Sequence, residues 1–150
     1  MKLYHGSNTV VEEPKILTSG YYKDFGFGFY CTSLEKQAVR WALTKQPDHI
    51  VNIYEYTPNE DLSYKKFPEM SDEWLDFVAN CRAGKSHGYD IVEGPMADDV
   101  IWNYVEDFLS RKISRKAFWE LAKFRHPTHQ IVFLTDAALK TLDFQGVEYL

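Results

Sequence analysis

Five residues spread along the chain have groups suited to binding a flat, positively charged ligand. His5 and Gly6 are adjacent near the amino terminus, Tyr30 ends a Gly-x-Gly-x-Tyr segment, Trp41 follows eleven positions later, and Gln130 precedes a late apolar run. An aromatic ring attracts a cation by about 1 kcal/mol, and by ~2 kcal/mol when water is excluded. A glycine has no side chain, so its backbone N–H and C=O groups can approach a ligand closely. These residue types could form a site for such a ligand if the fold brings them together.

Three other kinds of functional motif are missing from the sequence. Gly26 and Gly28 begin a Gly-x-Gly pattern, but Cys31 stands where the third glycine of a dinucleotide-binding fingerprint belongs. The Gly-x-x-x-x-Gly-Lys-Ser/Thr loop that cradles phosphates is absent. The histidines never form a His-x-x-x-His pair, and they are His5, His49, His87, His126 and His129. A metal site would need distant residues to be brought together, so we expect none.

The composition is that of one folded domain. The chain has 150 residues, of which 45% are hydrophobic and 26% charged, so we expect a single domain over residues 1–150. The net charge of -5 disfavours a nucleic-acid scaffold, because an acidic chain gains little from counterion release, although a local patch could still bind one. The sequence has only two cysteines, no signal-peptide pattern, and no apolar stretch near the roughly 20 residues of a membrane span. We expect a reduced, cytoplasmic protein without membrane contact.

Strand and helix signals alternate irregularly, without the rhythm of βαβ units, which predicts an α+β fold around a mostly antiparallel sheet. The predicted strands are Lys2–Ser7, Phe27–Thr32, His49–Tyr56, Leu62–Phe67, Tyr89–Val92, Gln130–Leu134 and Leu142–Tyr149. The Leu62–Phe67 strand is expected to form a hairpin with the strand before it. The predicted helices are Ser33–Thr44, one capped by Ser71 or Asp72, one capped by Asp98 or Asp99, Arg115–Phe124, and a turn at Asp136–Thr141. Thr32 and Glu35 have the spacing of a capping box for the first helix.

The order and spacing of the candidate residues resemble the ADP-ribosyltransferase superfamily, in particular its diphtheria-toxin and poly(ADP-ribose) polymerase branch. That branch has a histidine on the first strand, a tyrosine on the second and a glutamate opening a late strand. His5 in a His-Gly-Ser setting and Tyr30 in a Gly-x-Gly-x-Tyr setting match the first two, and Gln130 takes the third place. Trp41 stands where the family often has a second aromatic residue. The resemblance implies a split, mostly antiparallel sheet with several short helices.

Similarity to small bacterial proteins grouped with this superfamily extends over most of the chain. The segments that carry it are Tyr4–Ser7, Lys23–Gly26, Glu73–Val78, Tyr89–Val92 and Gly94–Pro95. The resemblance implies an NAD-dependent mono-ADP-ribosyltransferase, which releases nicotinamide and modifies a macromolecular acceptor, either protein or nucleic acid. It also implies a toxin or defence effector with an antitoxin protein as a partner.

The resemblance assigns roles to the site residues. The implied catalytic residues are His5, Tyr30 and Gln130. The implied NAD-binding residues are His5, Gly6, Ser7, Tyr30 and Trp41. In this assignment Tyr30, backed by Trp41, stacks on the nicotinamide ring, while His5 hydrogen-bonds a ribose hydroxyl with help from Ser7.

Two positions depart from the family pattern. Gln130 keeps a hydrogen-bond acceptor but lacks the negative charge of a glutamate, and losing such an electrostatic partner commonly costs about 3 to 4 kcal/mol of barrier. Because polymer elongation in the family is associated with that glutamate, the resemblance implies that elongation is disfavoured here. Ala38 stands where polymerase relatives tend to have a serine that binds the carboxamide.

Alternative interpretations remain at this point. Taken singly, each candidate has a structural explanation, such as a core aromatic ring or a turn glycine. Gln130 motivates a second hypothesis, a binding protein that holds NAD without turnover, and an NAD glycohydrolase is a further variant. A third hypothesis is a carboxylate-dependent glycosidase or nuclease that uses Glu93, Asp98 and Asp99. Separately, the carboxylate missing from the NAD site could be supplied at its rim by Glu93, Asp98 or Asp99, with Glu148 as another candidate. We expect Arg82, near the end of the second helix, to have a surface role.

Overall fold

The computed structural model describes residues 1–16, 18, 22–97, 99–123 and 128–150, with Asp99 described by its backbone alone. The cap predicted at Asp98 and the histidine at 126 lie outside this part of the chain. The strands are β1 (Lys2–Ser7), β2 (Phe29–Cys31), β3 (Ile50–Tyr56), β4 (Tyr64–Lys66), β5 (Ile91–Gly94), β6 (Gln130–Phe133) and β7 (Leu142–Tyr149). The helices are α1 (Glu35–Leu43), α2 (Asp72–Arg82), α3 (Asp99–Leu109), α4 (Arg115–Ala122) and α5 (Asp136–Leu139). In the described ranges, every helix is too short or too polar to span a bilayer.

The strands form two sheets. One has the order β1-β3-β7 and is antiparallel throughout, and the other has the order β2-β6-β5-β4. In the second sheet β2, β6 and β5 are antiparallel, while β4 and β5 are parallel. The prediction of an α+β fold with mostly antiparallel strands is thereby confirmed.

The first two strands hold the two sheets together. Tyr4 on β1 and Thr32 after β2 exchange backbone hydrogen bonds of 2.8 and 2.9 Å. Helix α1 then crosses β1 at Gly6, where an added Cβ would lie less than 3.0 Å from Ala38 O, Ala42 N and Trp41 Cβ. Only glycine permits this close approach, which places the amino-terminal strand, β2 and α1 around one region.

Two large groups of buried side chains lie on the faces of the four-stranded sheet. One joins that sheet to α2, α3 and α4 through Trp74, Val78, Val105 and Phe118, all fully buried. The other joins the two sheets and includes Leu3, Tyr54, Ile131 and Phe133. Residues of β6 alternate between these faces, since Val132 belongs to the first group and Ile131 and Phe133 to the second.

Two predictions about local structure are wrong. Leu34 is the N-cap residue of α1, and the Thr32 hydroxyl accepts a hydrogen bond from the Leu34 N–H at 3.0 Å, so the proposed capping box with Glu35 does not form. The second error concerns β4, which pairs in parallel with β5 and not as a hairpin with β3. A short exposed strand gives no sequence signal for its partner, because pairing is set by the surrounding core.

Candidate functional site

A cleft of about 260 Å³ opens where β1, β2, α1 and the start of β6 meet. Five of the six residues predicted from the sequence line it, and they are His5, Gly6, Tyr30, Trp41 and Gln130. The remaining lining residues are Lys23, Asp24, Thr44, Lys45, Arg82, Met96 and Ala97. The fold thus brings together positions that are up to 125 residues apart in the sequence.

Ser7 is not among the residues that line the cleft. It pairs with Ile50 at the end of β1, and its Oγ accepts a hydrogen bond from the Thr9 N–H at 3.3 Å. This contact orders the chain where the strand ends. The structure therefore gives Ser7 a local role, and the predicted assistance to a ligand stays a prediction.

His5 is held in one protonation state. Its Nδ1 lies 2.6 Å from the carbonyl oxygen of Tyr30, which can only accept, so Nδ1 carries the proton and Nε2 is an acceptor. Burial lowers the pKa of His5 to about 4, and the charges of Lys23 and Lys45 act in the same direction. At neutral pH the imidazole is therefore uncharged and can accept a hydrogen bond from a hydroxyl group.

The ring of Tyr30 is fixed by its hydroxyl group. That hydroxyl donates to Gly26 O at 2.6 Å and accepts from the Phe25 N–H at 3.1 Å. Burial raises the pKa of Tyr30 well above its ordinary value, so the phenol remains neutral. The ammonium group of Lys23 lies 5.2 Å from the centre of this ring. The ring is thus an immobile surface that already contacts a cation.

The glycines before Tyr30 shape the turn that binds its hydroxyl. Gly26 has a φ of 93°, which favours glycine, and its N–H donates to Lys23 O at 3.1 Å. At Gly28 an added Cβ would lie 2.6 Å from Val132 Cγ1, so β6 can lie close to the segment that leads into β2. Gly26 thus forms the turn and Gly28 permits the close packing of β6, and these two features hold Tyr30 in place.

Gln130 is buried at the floor of the cleft, with 2% of its surface exposed. Its Nε2 donates to Asp24 Oδ2 and to the carbonyl oxygen of Pro95, both at 3.1 Å. Asp24 also accepts from the Ala97 N–H at 2.8 Å and forms an ion pair with Arg82. Arg82 therefore lines the cleft, which corrects the surface role expected for it.

Charge in the cleft is mainly positive although the whole chain is acidic. Among the described residues, Lys23, Lys45 and Arg82 line it, and Asp24 is the one acidic residue in the lining. Because Arg82 is paired with Asp24, the two lysines supply the excess charge. Partial burial lowers the pKa of Lys23, and the neighbouring charge of Lys45 lowers it further. An anionic group between the lysines would relieve this repulsion.

Glu93 and Glu148, the two candidate carboxylates whose side chains are described, do not line this cleft. Glu93 accepts a hydrogen bond from His129 Nε2 at 2.7 Å and another from the Tyr64 hydroxyl. Burial opposes ionisation of Glu93, but these hydrogen bonds outweigh it, so its pKa lies below the usual range. Glu148 is exposed on β7. Asp98 and the Asp99 side chain lie outside the described part of the chain.

No metal centre is evident in the described residues, which contain no cluster of three or more His, Cys, Asp or Glu residues able to hold an ion. A second cavity of about 340 Å³ lies around Tyr22, Phe27, His87 and Tyr89. It contains none of the six predicted site residues. The first cleft is therefore the candidate functional site.

Sequence reasoning missed several lining residues. The Lys23–Gly26 segment carried a signal, because it is one of the segments that carry the resemblance. Thr44 and Lys45 follow the last helical residue of α1, and nothing in their local pattern shows which way they face. From the sequence, Arg82 is the basic residue that commonly ends a helix, and its inward contacts with Asp24 and Trp102 come from distant parts of the chain.

Comparison with known proteins gives a match to a family model. No curated protein and no solved structure matches the chain. One family model covers residues 1–144, which include β1, β2, α1, β6 and all the residues that line the cleft. With that extent of agreement, the chain belongs to the family described as protein of unknown function (DUF3990).

Proposed function

We propose that this protein is an NAD-dependent mono-ADP-ribosyltransferase that modifies a macromolecular acceptor and releases nicotinamide. The observation that carries the proposal is the convergence of His5, Gly6, Tyr30, Trp41 and Gln130 on a single cleft. These residues come from β1, β2, α1 and β6, and their order matches the resemblance described above. A single residue that matches the family pattern could line the cleft by chance. Chance is a much weaker explanation when all five matching residues line the same cleft.

In the proposed reaction the bond between the nicotinamide nitrogen and ribose C1′ breaks. Its electron pair goes to the pyridinium nitrogen, which becomes neutral, and C1′ bonds to an oxygen or nitrogen of the acceptor, which loses a proton. The rings of Tyr30 and Trp41 stack on the departing heterocycle, and the backbone of Gly6 contacts its carboxamide. The neutral His5 accepts a hydrogen bond from a ribose hydroxyl through Nε2. These contacts hold a flexible dinucleotide in one conformation.

The positive charge of the cleft supports a dinucleotide as the ligand. NAD carries a diphosphate with two negative charges, and Lys23 and Lys45 offer two ammonium groups at the same cleft. The ammonium of Lys23 lies near the ring of Tyr30, so it repels the positively charged nicotinamide ring when that ring stacks on Tyr30. This repulsion is relieved when the nicotinamide leaves as a neutral molecule.

Gln130 supports transfer of a single ADP-ribose unit. It offers the developing positive charge a dipole where a glutamate would offer a full charge. The resemblance associates polymer elongation with that glutamate, which this chain lacks. The biological setting that we propose is a bacterial toxin or defence effector acting in the cytoplasm, with an antitoxin protein as a partner. Hydrolysis of NAD is the expected side reaction when water replaces the acceptor.

The proposal is tested by incubating the purified protein with NAD and a cell lysate. We expect nicotinamide release together with label transferred from adenine-labelled NAD to protein or nucleic acid. Label in nucleic acid would survive protease, and label in protein would survive nuclease. The proposal is wrong if neither product forms, or if His5→Ala and Tyr30→Ala variants behave like the wild type.

A second candidate function is a protein that binds NAD without turning it over. The buried, uncharged Gln130 favours this alternative. Calorimetry separates the two functions, because the binding protein would bind NAD and return it intact. The transferase would instead consume the ligand during the titration.

A further inference from the structure

The amide of Gln130 has a defined orientation. The atom that lies 3.1 Å from Asp24 Oδ2 and 3.1 Å from Pro95 O must be a donor, because a carboxylate and a carbonyl oxygen can only accept. This requirement identifies it as Nε2 and settles the direction of the amide. The oxygen Oε1 is then the atom of this side chain that can accept a hydrogen bond from a ligand.

Asp24 is itself tightly constrained. It is 4% exposed, and its Oδ1 accepts from Arg82 Nε at 2.8 Å and from Arg82 Nη2. Its Oδ2 accepts from the Ala97 N–H at 2.8 Å and from Gln130. The guanidinium of Arg82 lies over the ring of Trp102, with Cζ 3.1 Å from the ring centre. The carboxylate that faces Gln130 is thus fixed from several sides.

We infer that Asp24 is the positioning residue that orients Gln130, so that the cleft is built for an amide and not for a carboxylate at this position. The inference rests on the proposed function, because the ligand group that Oε1 would accept from is a ribose hydroxyl. A carboxylate at position 130 would place an oxygen against Asp24 Oδ2 and Pro95 O. Both contacts would then be repulsive, and two buried carboxylates would share one guanidinium.

The first test uses a paired exchange at these two positions. Gln130→Glu adds a carboxylate to the cluster, and Asp24→Asn removes the one that balances Arg82. Each single change is expected to lower nicotinamide release at least about tenfold. The double variant D24N/Q130E again has one carboxylate in the cluster, and the amide at position 24 can donate to it, while the contacts with Pro95 O and the Ala97 N–H stay unfavourable. We therefore expect partial recovery, to at least about threefold above the activity of Gln130→Glu.

A matched control uses another buried glutamine. Gln37 donates to His129 O at 2.6 Å from α1 and does not line the cleft. A Gln37→Glu variant also places a carboxylate beside a carbonyl oxygen, but Asp24→Asn should not rescue it. If Asp24→Asn rescues Gln130→Glu but not Gln37→Glu, the result supports a specific pairing of residues 24 and 130. A double variant no more active than the singles contradicts the inference.

A second measurement follows thermal unfolding and does not depend on NAD. In Gln130→Glu, burial beside Asp24 raises the pKa of the introduced carboxyl, so this variant loses stability relative to the wild type as pH rises from about 5 to 8. In D24N/Q130E this additional loss of stability at higher pH should disappear. Of the described groups facing the cluster, Cys81 and Tyr30 stay neutral in this range, because burial raises the pKa of Cys81 to about 12 and raises that of Tyr30. The pKa of His5, lowered to about 4, contributes equally to the wild type and the variants, so its effect cancels in the comparison.

The two readouts separate the two claims. If the wild type neither binds nor consumes NAD, the proposed function fails, while the unfolding curves still decide the role of Asp24. If Gln130→Glu shows the same pH dependence as the wild type, the inference is overturned even when NAD is consumed. If Asp24→Asn does not fold, the role of Asp24 is decided by comparing the pH dependence of thermal unfolding in Gln130→Glu with that in the wild type.

Discussion

The imidazole of His5 on β1 donates from Nδ1 to the backbone oxygen of Tyr30 on β2, over 2.6 Å. This hydrogen bond joins the two residues that the resemblance places at the centre of NAD binding. We expect His5→Ala to lower kcat/KM for NAD by about tenfold, which corresponds to the loss of one hydrogen bond worth ~1.4 kcal/mol. The control is His49→Ala, since His49 Nδ1 bonds Ala42 O at 3.0 Å outside the cleft. Equal losses in both variants would contradict a specific role for His5.

The depressed pKa of His5 predicts sensitivity to acid. Its pKa is 6.5 in the unfolded chain and about 4 in the folded protein, so the folded state prefers the neutral imidazole. The associated stability is present above pH 6.5 and is lost as pH falls towards about 4, in total about 3 kcal/mol. Chemical denaturation at several pH values should show this loss in the wild type and a smaller loss in His5→Gln. Parallel curves for the two proteins would show that His5 is not the cause.

The ring and the hydroxyl of Tyr30 should have separable roles. Tyr30→Phe keeps the stacking surface but loses the bonds to Gly26 O and Phe25 N, so we expect a loss of stability of about 1 to 2 kcal/mol with kcat/KM little changed. Tyr30→Leu removes the ring and should raise KM for NAD about tenfold. Tyr54→Phe is the control, because that hydroxyl bonds Val11 O at 2.6 Å away from the cleft. A strong loss of activity in Tyr30→Phe would assign chemistry to the hydroxyl.

The lysines should act through charge. We expect Lys45→Gln to raise KM for NAD about threefold to tenfold, with kcat less affected. The effect should shrink as NaCl is raised from about 0.05 to about 0.5 M, because salt screens exposed charges. Lys36→Gln is the control, since Lys36 is exposed on α1 and does not line the cleft. A salt-independent effect, or one shared with the control, would argue against diphosphate binding between the lysines.

The crossing of α1 over β1 depends on Gly6. Gly6→Ala would place a Cβ less than 3.0 Å from the backbone of Ala38 and Ala42, so we expect a loss of stability of about 1 to 3 kcal/mol. Gly88→Ala is the matched control, because an added Cβ there meets nothing within 4 Å. Urea denaturation of both variants measures the difference. Equal stability of the two would mean that α1 can move away from β1 without cost.

Sequence patterns predicted the strands whose apolar residues alternate or form a continuous run. β1 and β7 have the predicted bounds, and β3 and β6 differ at one end by a single residue. The candidate residues of the cleft were found because their types and order are distinctive. Contacts set by distant parts of the chain were not predictable. Arg82 faces inward where it meets Asp24 and the ring of Trp102, and the parallel pairing of β4 depends on the position of β5.

The departure at Gln130 illustrates why a local pattern is insufficient. From the sequence, this position reads as a glutamate that has lost its charge. The structure adds that its amide nitrogen faces two acceptors, Asp24 Oδ2 and Pro95 O. A glutamine therefore fits these surroundings better than a glutamate does, and no pattern around residue 130 carries that information.

A crystal structure of the protein soaked with NAD or nicotinamide tests the central claim most directly. We expect the nicotinamide ring to lie against Tyr30 and Trp41, with its carboxamide at the backbone of Gly6 and the adjoining ribose within hydrogen-bonding distance of His5 Nε2. A cleft that remains empty at saturating ligand, or a ligand bound elsewhere on the molecule, would contradict the account.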